Sequence, residues 1–332
     1  MKKSYELDMC NGPILGKILV FAIPLMISGI LQLLFNAADI IVVGRFTGSQ
    51  ALAAVGSTSA LINLIINLFI GVSVGANVVV ARNYGAKDYD GIHGAVHTSV
   101  LTAIWGGIIL IFVGILLARP MLEMMGTPED VIDLSVLYMR IYFVGMPSFM
   151  LYNFGSAILR AIGDTKRPLY FLTLSGVVNV VLNLFFVIVF HMGVAGVALA
   201  TIISQAISAF LIILCLMKMD GPCHLDFKHL KFHPEQLKSM LRIGLPAGLQ
   251  GAIFSISNVL IQSSVNSFGS QVMAGNTAAS NIEGFVYNAM NAVYQTSLSF
   301  TSQNMGAKQF GRVNKILFEC LCVVSAVGIL LG

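Results

Sequence analysis

The sequence predicts an all-α polytopic membrane protein, and three observations lead to this class. Of the 332 residues, 57% are hydrophobic and 10% are charged, whereas soluble domains carry about 25% charged residues. Apolar stretches close to the roughly 20 residues that cross a bilayer recur along the chain, separated by short polar links. Sequence motifs also recur at a separation of about 222 residues, which indicates two similar helical units.

The apolar stretches predict nine membrane spans, each ending where a link such as TGSQ, GAKDYD, GTPED or GDTKRP interrupts the apolar run. The spans are residues 15–43, 52–80, 99–117, 131–153, 168–190, 194–217, 241–265, 271–297 and 316–332. The first is too long for a signal peptide and lacks a small-residue cleavage site, so we expect it to stay in the membrane. The ninth has 17 residues, near the lower limit for spanning.

The basic residues predict the orientation in the membrane. Sixteen of the 19 Lys and Arg residues fall on the side of the N-terminus, leaving Arg45, Arg119 and Arg140 for the other side. Because basic residues concentrate in cytoplasmic links, the N-terminus is expected in the cytoplasm of a multi-pass plasma-membrane protein. The net charge of +4 reflects this bias, so we infer no nucleic-acid partner.

The internal repeat predicts two lobes with the same orientation. Pro24 aligns with Pro246 at an offset of 222, and Gly85 aligns with Gly306 at an offset of 221. Six spans separate equivalent points, so the lobes are related by a pseudo-two-fold axis along the membrane normal. We predict a six-helix lobe over residues 1–217, a cytoplasmic linker over 218–238 and an incomplete lobe over 239–332. Two full copies would need about 444 residues and twelve helices, so we interpret the chain as a C-terminally truncated fragment.

Motifs of soluble enzymes give no support for catalysis. The run GVSVG at residues 71–75 matches the GxSxG nucleophile pattern, but it lies inside an apolar helix, where small-residue packing explains it better. A GxxxxGK[ST] phosphate loop is absent from the sequence. The linker histidines His224, His229 and His233 have no metal-ligand spacing, so a solvated basic linker is the better interpretation. We therefore predict no enzyme activity, no metal site and no cofactor.

Polar side chains recur inside six spans at steps of three or four residues, which keeps each set on one helix face. The sets are Ser28, Gln32, Asn36 and Asp39; Ser59, Asn63 and Asn67; Asn179 and Asn183; Thr201, Ser204, Gln205 and Ser208; Ser255, Asn258 and Gln262; and Asn276, Ser280, Glu283 and Tyr287. Lipid cannot satisfy these groups, so they face a shared cavity or bond neighbouring helices. A shared cavity predicts the lining residues Gln32, Asn36, Asn63, Asn67, Ser204, Asn258, Gln262 and Glu283.

Asp39 is the strongest functional candidate in these sets, because inserting a charged Asp at the centre of a spanning helix costs roughly 2.5 to 3.5 kcal/mol of free energy. It lies four residues before the end of its predicted span, or about 6 Å from that end. The alternative to a functional role is a carboxylate that reaches the surface or pairs with Arg45. Glu283 is a weaker candidate of the same kind.

Several segments together resemble the multidrug and toxic compound extrusion (MATE) family of secondary transporters. They are IPLMISGILQLLFNAADIIVVGRFTGSQALAAVG, ILRAIGDTKRP, VVNVVLNLFFVIVFHMGVAGVALATIISQ, IGLPAGLQGAIFSISNVLIQSSVNSFG and SQNMGAK. The resemblance covers the whole chain. It implies two six-helix lobes around a cavity and alternating access. It also implies export of organic cations or other amphiphiles by a monomer in contact with lipid, in exchange for inward H+ or Na+.

The resemblance also implies site residues. An Asp on the first helix, an Asn on the fifth and a Thr on the sixth match Asp39, Asn179 and Thr201. Where many members carry a second Asp, this sequence has Asn183, and Phe254 falls near the position of an acid on the seventh helix. We therefore expect ion coupling at Asp39, Asn179, Asn183 and Thr201, with Pro24 as a hinge in the first helix.

Two other interpretations stay open at this point. A lipid-linked saccharide flippase has a related two-lobe plan, but it needs cationic residues in the cavity to hold a pyrophosphate. Lys17 and Arg242 fall at the cytoplasmic starts of their spans, so Arg140 is the plausible cation inside a span, and it is expected near the outer interface. A non-transporting membrane fragment is the third interpretation, because half of the second lobe is missing from the predicted plan.

Overall fold

The computed structural model describes residues 5–266 and 270–331. Within these ranges the chain forms α-helices and no β-strand. The helices are α1 Ile14–Phe46, α2 Ser49–Ala86, α3 Tyr89–Met124, α4 Glu129–Val144, α5 Met146–Ala161, α6 Lys166–Leu184, α7 Gly193–Lys218, α8 Pro234–Asn266, α9 Ser270–Gly306 and α10 Phe310–Leu331. A short π-helical stretch, Phe185–Val189, continues α6.

Each predicted span falls on one helix, except that the fourth falls on two. In the described residues, six helices are long and apolar enough to cross a membrane: α1, α2, α3, α6 with its π-helical end, α7 and α10. The pair α4 and α5 adds a seventh span, bent by 49° at Gly145. Pro147 lies at the start of α5. Its ring and missing N–H disfavour continuation of α4 through this point, which the hydropathy pattern could not register.

The helices extend beyond the apolar runs that predict them. α1 ends at Phe46, seven residues after Asp39, so the helix continues for about 10 Å beyond Asp39, whereas the predicted apolar span ends about 6 Å beyond it. α10 begins at Phe310, six residues before the predicted ninth span. Hydropathy marks the part of a helix that suits lipid, whereas the backbone stays helical through the polar turns that follow.

The repeat is visible in the backbone at the ends of α2 and α9. Lys87 and Lys308 both adopt a left-handed conformation, with φ of 57° and 58°, after the shared GAK motif. Where the two helices cross, a Cβ on Gly85 would lie 1.9 Å from the Gln303 carbonyl oxygen, and a Cβ on Gly306 would lie 1.9 Å from that of Arg82. These two contacts exchange under the 221-residue offset, as a pseudo-two-fold axis requires.

The second half of α2 also crosses α8 at glycine. A Cβ on Gly71 would lie 2.2 Å from the Gly248 nitrogen, and one on Gly75 would lie 2.2 Å from the Met240 carbonyl oxygen. Ser73, between the two glycines, is buried and donates to the Ile70 carbonyl at 2.7 Å. The GVSVG run therefore serves close helix packing in this structure.

The described residues form two hydrophobic clusters. The larger one is built mainly from α2 through α7, and it includes Val42 and Val43 of α1 and Met240 of α8. The smaller one joins α1 to α9 and α10, with Phe21 and Phe300 in edge-to-face contact at 5.6 Å between ring centroids. α1 thus links the helices of the first repeat with those of the second.

The segment between α7 and α8 is partly packed and not wholly solvated as its composition suggests. Cys223 and Leu225 are buried in the larger cluster, and the His97 ring contacts the Asp226 backbone at 3.2 Å. His229 remains exposed and pairs with Asp226 at 2.7 Å. Bonds from the Lys228 amide and the His229 ring hold the pKa of Asp226 below its ordinary value.

Candidate functional site

The four residues predicted for ion coupling form one chain of hydrogen bonds across three helices. The Asn183 amide nitrogen on α6 donates to the Asp39 carboxylate on α1 and lies 3.3 Å from the Asn179 side-chain oxygen. Asn179 donates in turn to the Thr201 hydroxyl on α7 at 3.4 Å, and Thr201 donates to the Val197 carbonyl at 3.0 Å. The structure therefore brings together what the sequence places on three separate spans.

Local sequence explains why α1 and α6 approach closely here. Asn179 and Asn183 are four residues apart, so both side chains lie on one face of α6. One turn earlier, a Cβ on Gly176 would lie 1.9 Å from the Phe35 ring, which itself lies one turn before Asp39. Only glycine at 176 leaves room for this ring. The close contact sets Asp39 opposite Asn183.

The group formed by Asp39, Asn179, Asn183 and Thr201 contains a hydrogen-bond acceptor that has no donor, next to the Asp39 carboxylate. Asn183 is 1% exposed, and its side-chain oxygen has no hydrogen-bond partner. The alternative partner of Asp39, Arg45, is exposed, and the described residues contain no ion pair between the two. A carboxylate without a cationic partner is costly at membrane depth. A proton relieves this cost, and so does a hard cation held by the carboxylate, amide and hydroxyl oxygens.

Two tyrosines of α4, Tyr138 and Tyr142, lie near enough to Asp39 for its charge to act on their hydroxyl groups. Their rings stack at 5.9 Å between centroids. Tyr142 also lines a narrow pocket with Thr201 and Gln205, and the Gln205 side-chain oxygen is buried without a partner. The sequence analysis missed both tyrosines. Their spacing of four residues was the available signal, but it is equally typical of an ordinary core face.

The predicted cavity residues differ in their burial and in their hydrogen bonds. Asn67 donates to the Ser255 hydroxyl at 2.9 Å, across the crossing of α2 and α8. Ser204 is buried but donates to the Thr201 carbonyl of its own helix. Five further candidates are exposed: Gln32, Asn36, Asn63, Asn258 and Glu283. The Gln262 side chain lies outside the described residues.

Several hydroxyl groups in the polar sets are satisfied within their own helices. Ser28 donates to the Pro24 carbonyl at 2.8 Å, Ser59 to the Val55 carbonyl at 2.9 Å and Ser208 to the Gln205 carbonyl at 2.9 Å. Such back-bonding needs no cavity or neighbouring helix. Helical spacing of Ser and Thr therefore gave weaker support for a shared cavity than spacing of Asn and Asp. At Pro24, α1 continues without an interruption of the helix.

In the second repeat, the Phe254 and Tyr287 rings stack at 6.0 Å with an interplanar angle of 9°. Phe254 is the residue that, by the resemblance, falls near the position of an acid in other family members. Glu283 lies one turn before Tyr287 on α9 and is exposed. No group of three or more His, Cys, Asp or Glu side chains in the part of the chain described by the structure is arranged to hold a metal ion.

Comparison with known proteins identifies the family. The MatE family model matches most of the chain, in two stretches over residues 24–185 and 246–332. The stretches begin at Pro24 and Pro246, the two residues that the internal repeat aligns. The chain belongs to the MATE family. MATE proteins are transporters and not enzymes, in agreement with the sequence-based prediction.

Curated relatives of the MATE family resemble the chain over most of its length. It is 31% identical to the probable multidrug resistance protein YoeA of Bacillus subtilis, over 90% of this chain and 66% of YoeA. It is 29% identical to the probable multidrug resistance protein YpnP of the same organism, over 92% of this chain and 68% of YpnP. The multidrug export protein MepA of Staphylococcus aureus is 24% identical over 80% of this chain and 58% of MepA. The chain thus spans about two thirds or less of the length of these relatives.

Solved structures of MATE proteins share the fold. A MOP superfamily transporter from Pyrococcus furiosus, described as having a binding pocket of reverse polarity, superposes with a TM-score of 0.92 and 25% identity, over 100% of this chain and 73% of that chain. A MATE protein in the bent conformation gives a TM-score of 0.87 and 26% identity, over 95% of this chain and 70% of that chain. The predicted all-helical membrane-protein class is therefore confirmed, and the fold is that of the MATE proteins.

Proposed function

We propose that this MATE protein is a secondary active transporter that exports organic cations or other amphiphilic compounds by alternating access. Inward movement of H+ or Na+ drives the export, and the ion acts at Asp39. The names of the curated relatives YoeA, YpnP and MepA, which refer to multidrug resistance and multidrug export, support the substrate class.

The single observation that carries the proposal is the state of Asp39. Its carboxylate accepts a hydrogen bond from the neutral Asn183 amide, whose own oxygen is buried without a partner, and no ion pair to it is found among the described residues. A group of this kind changes its interactions strongly when a proton or cation arrives. Because Asp39 lies on α1 and Asn183 on α6, ion arrival changes the contact between these two helices. We infer that this change is what couples the ion to the movement of α1.

The closed junction supports alternating access. α2 contacts α8 and α9 through glycines at the end of the molecule where the N-terminus lies, and we assign this end to the cytoplasm. Related MATE structures are described as bent and as straight. The present chain superposes with TM-scores of 0.87 and 0.91, respectively. We infer that this chain also adopts two conformations. In the conformation that is open to the cytoplasm, α2 separates from α8 and α9 at this junction.

Replacing Asp39 with Asn tests this function in the complete protein. Asparagine keeps the shape of the side chain but binds neither a proton nor a cation as a carboxylate does. We expect ion-driven efflux of a cationic dye from energised cells or vesicles to fall to background. Asp133→Asn is the matched control, because Asp133 is an exposed carboxylate bonded to Arg119.

Full efflux by the Asp39→Asn protein, at wild-type expression, would contradict the proposal. The same vesicles distinguish the two ions. A Na+ pulse at constant pH drives efflux if Na+ is the coupling ion, whereas a pH step without Na+ drives it if H+ is.

A further inference from the structure

Residues 5–12, which precede α1 and are called the strap below, lie across the junction between the helices of the two repeats. Their first three residues contact α2, the turn between α5 and α6, and the first turn of α6. Their last four residues contact α9 and α10. The strap therefore connects two groups of helices that meet at the crossings of α2 with α8 and α9.

The first anchor of the strap is largely polar and exposed. The Arg167 guanidinium lies 5.3 Å from the centre of the Tyr5 ring, a cation–π contact. The Tyr84 hydroxyl on α2 donates to the Glu6 carboxylate at 3.0 Å. The Leu7 backbone lies against Gly163, where an added Cβ would come within 2.5 Å of the Leu7 nitrogen. Both Tyr5 and Glu6 are exposed, so water competes for their contacts.

The second anchor is buried. Met9 is 0% exposed and packs in the smaller hydrophobic cluster with Phe300 and Ile316. The Asn304 amide on α9 donates to the Met9 carbonyl at 3.1 Å. The Arg312 guanidinium on α10 donates to the carbonyls of residues 11 and 12 at 3.1 and 2.9 Å. A fully buried Met with satisfied backbone groups holds the strap more firmly than exposed polar contacts do.

We propose that the strap is a clasp that holds the junction closed and that releases at its first anchor when the junction opens. The helices of the two repeats cannot separate far at this end while both anchors are engaged, because only Asp8 separates the first anchor from the second along the chain. Release at Tyr5, Glu6 and Leu7 leaves the strap attached to α9 and α10. The proposal requires that the helices separate at the junction, as they do in alternating access. It does not depend on which substrate or ion is transported.

A buried reporter at the junction tests the clasp. Ser299 on α9 is 1% exposed and donates to the Asn77 side-chain oxygen on α2 at 3.1 Å. With the five native cysteines replaced by alanine, a Ser299→Cys thiol reacts with a maleimide only when α2 and α9 part. When opening is faster than labelling, the labelling rate is proportional to the open fraction.

The test variant removes the first anchor with Tyr5→Ala and Glu6→Ala in this background. We expect the labelling rate of Ser299→Cys to rise by about tenfold, since losing contacts worth about 1.4 kcal/mol changes the open fraction by that factor. Arg119→Ala is the matched control, because it removes an exposed arginine with two carboxylate contacts away from the junction. The control should leave the rate unchanged.

An unchanged rate in the folded double variant would overturn the clasp, and so would an equal rise in the control. If the double variant does not fold, Tyr84→Phe removes only the hydroxyl that binds Glu6 and should still raise the rate measurably; no rise would overturn the proposal. Because labelling needs no transport, these results stand apart from those of the Asp39→Asn assay. Loss of efflux in Asp39→Asn with wild-type labelling in the anchor variant would support the proposed function and refute the clasp alone.

Discussion

At the scale of single residues, Asp39 and Asn183 define the chemistry of the site. The resemblance to the MATE family implies that a second Asp is common at position 183, and this chain has an amide there. The amide donates to Asp39 and leaves its own oxygen unpartnered. A second carboxylate would replace a donor with an acceptor, so the two groups would need a shared proton or a cation between them.

Asn183→Asp should therefore change how efflux depends on the ion. Two carboxylates at this position repel each other when both are charged, so the first H+ or Na+ should bind at a lower concentration than in the wild type, and full neutralisation should take an additional ion per cycle. Efflux rates across a pH series and a Na+ series give the measurement. Asn314→Asp, on the exposed side of α10, is the control for added charge. An unchanged ion profile would remove Asn183 from the site.

The sequence predicted the positions of site residues best where the side chain is an amide or a carboxylate. Asp39, Asn179, Asn183 and Thr201 were placed together by spacing and resemblance, and the structure brings them within hydrogen-bond contact. Serine positions were less informative, because a serine hydroxyl can bond the carbonyl one turn earlier. Tyr138 could not be assigned, since helical spacing does not tell which neighbour an aromatic face meets.

At the scale of elements, α2 is the central helix of the junction. It crosses α8 through Gly71 and Gly75, and it crosses α9 through Gly85. Close approach of helices in a membrane depends on small residues, because lipid supplies no hydrophobic drive between helices. The glycines of α2 thus determine how closely the two repeats meet.

Gly71→Ala should destabilise the closed junction, because the added methyl would lie 2.2 Å from the Gly248 nitrogen. Forcing two backbones apart costs about 1 to 3 kcal/mol, which lowers the thermal unfolding midpoint by several degrees. Gly56→Ala on the same helix has no neighbour within 4 Å. It should be neutral or stabilising by up to about 1 kcal/mol through helix propensity. Thermal unfolding of the purified variants compares them, and equal midpoints would contradict the close packing at Gly71.

At the scale of the whole molecule, the distribution of basic residues predicts the orientation. Sixteen of 19 lie on the side of the N-terminus, and this is also the end where the strap and the glycine crossings lie. The orientation therefore decides whether the closed junction faces the cytoplasm.

Reporter fusions measure this orientation. A fluorescent protein inserted in the segment between α7 and α8 should fluoresce, and alkaline phosphatase inserted between α3 and α4 should be active, because phosphatase folds only outside the cytoplasm. Active phosphatase after α7 would reverse the assignment. Replacing Lys17 with Gln should leave the result unchanged, since the remaining basic residues on that side still dominate.

The sequence by itself determined the all-helical membrane class, the two related units and the approximate helix positions, because hydropathy and internal similarity are properties of the chain alone. Spacing further placed Asn179 and Asn183 on one face, since helix geometry is local. Only the tertiary structure decided the bend at Gly145, the tyrosines beside Asp39, the glycine crossings of α2 and the two anchors of the strap. Each of these depends on which surfaces meet in space, and burial and hydrogen-bond partners are set by contacts between residues far apart in the chain.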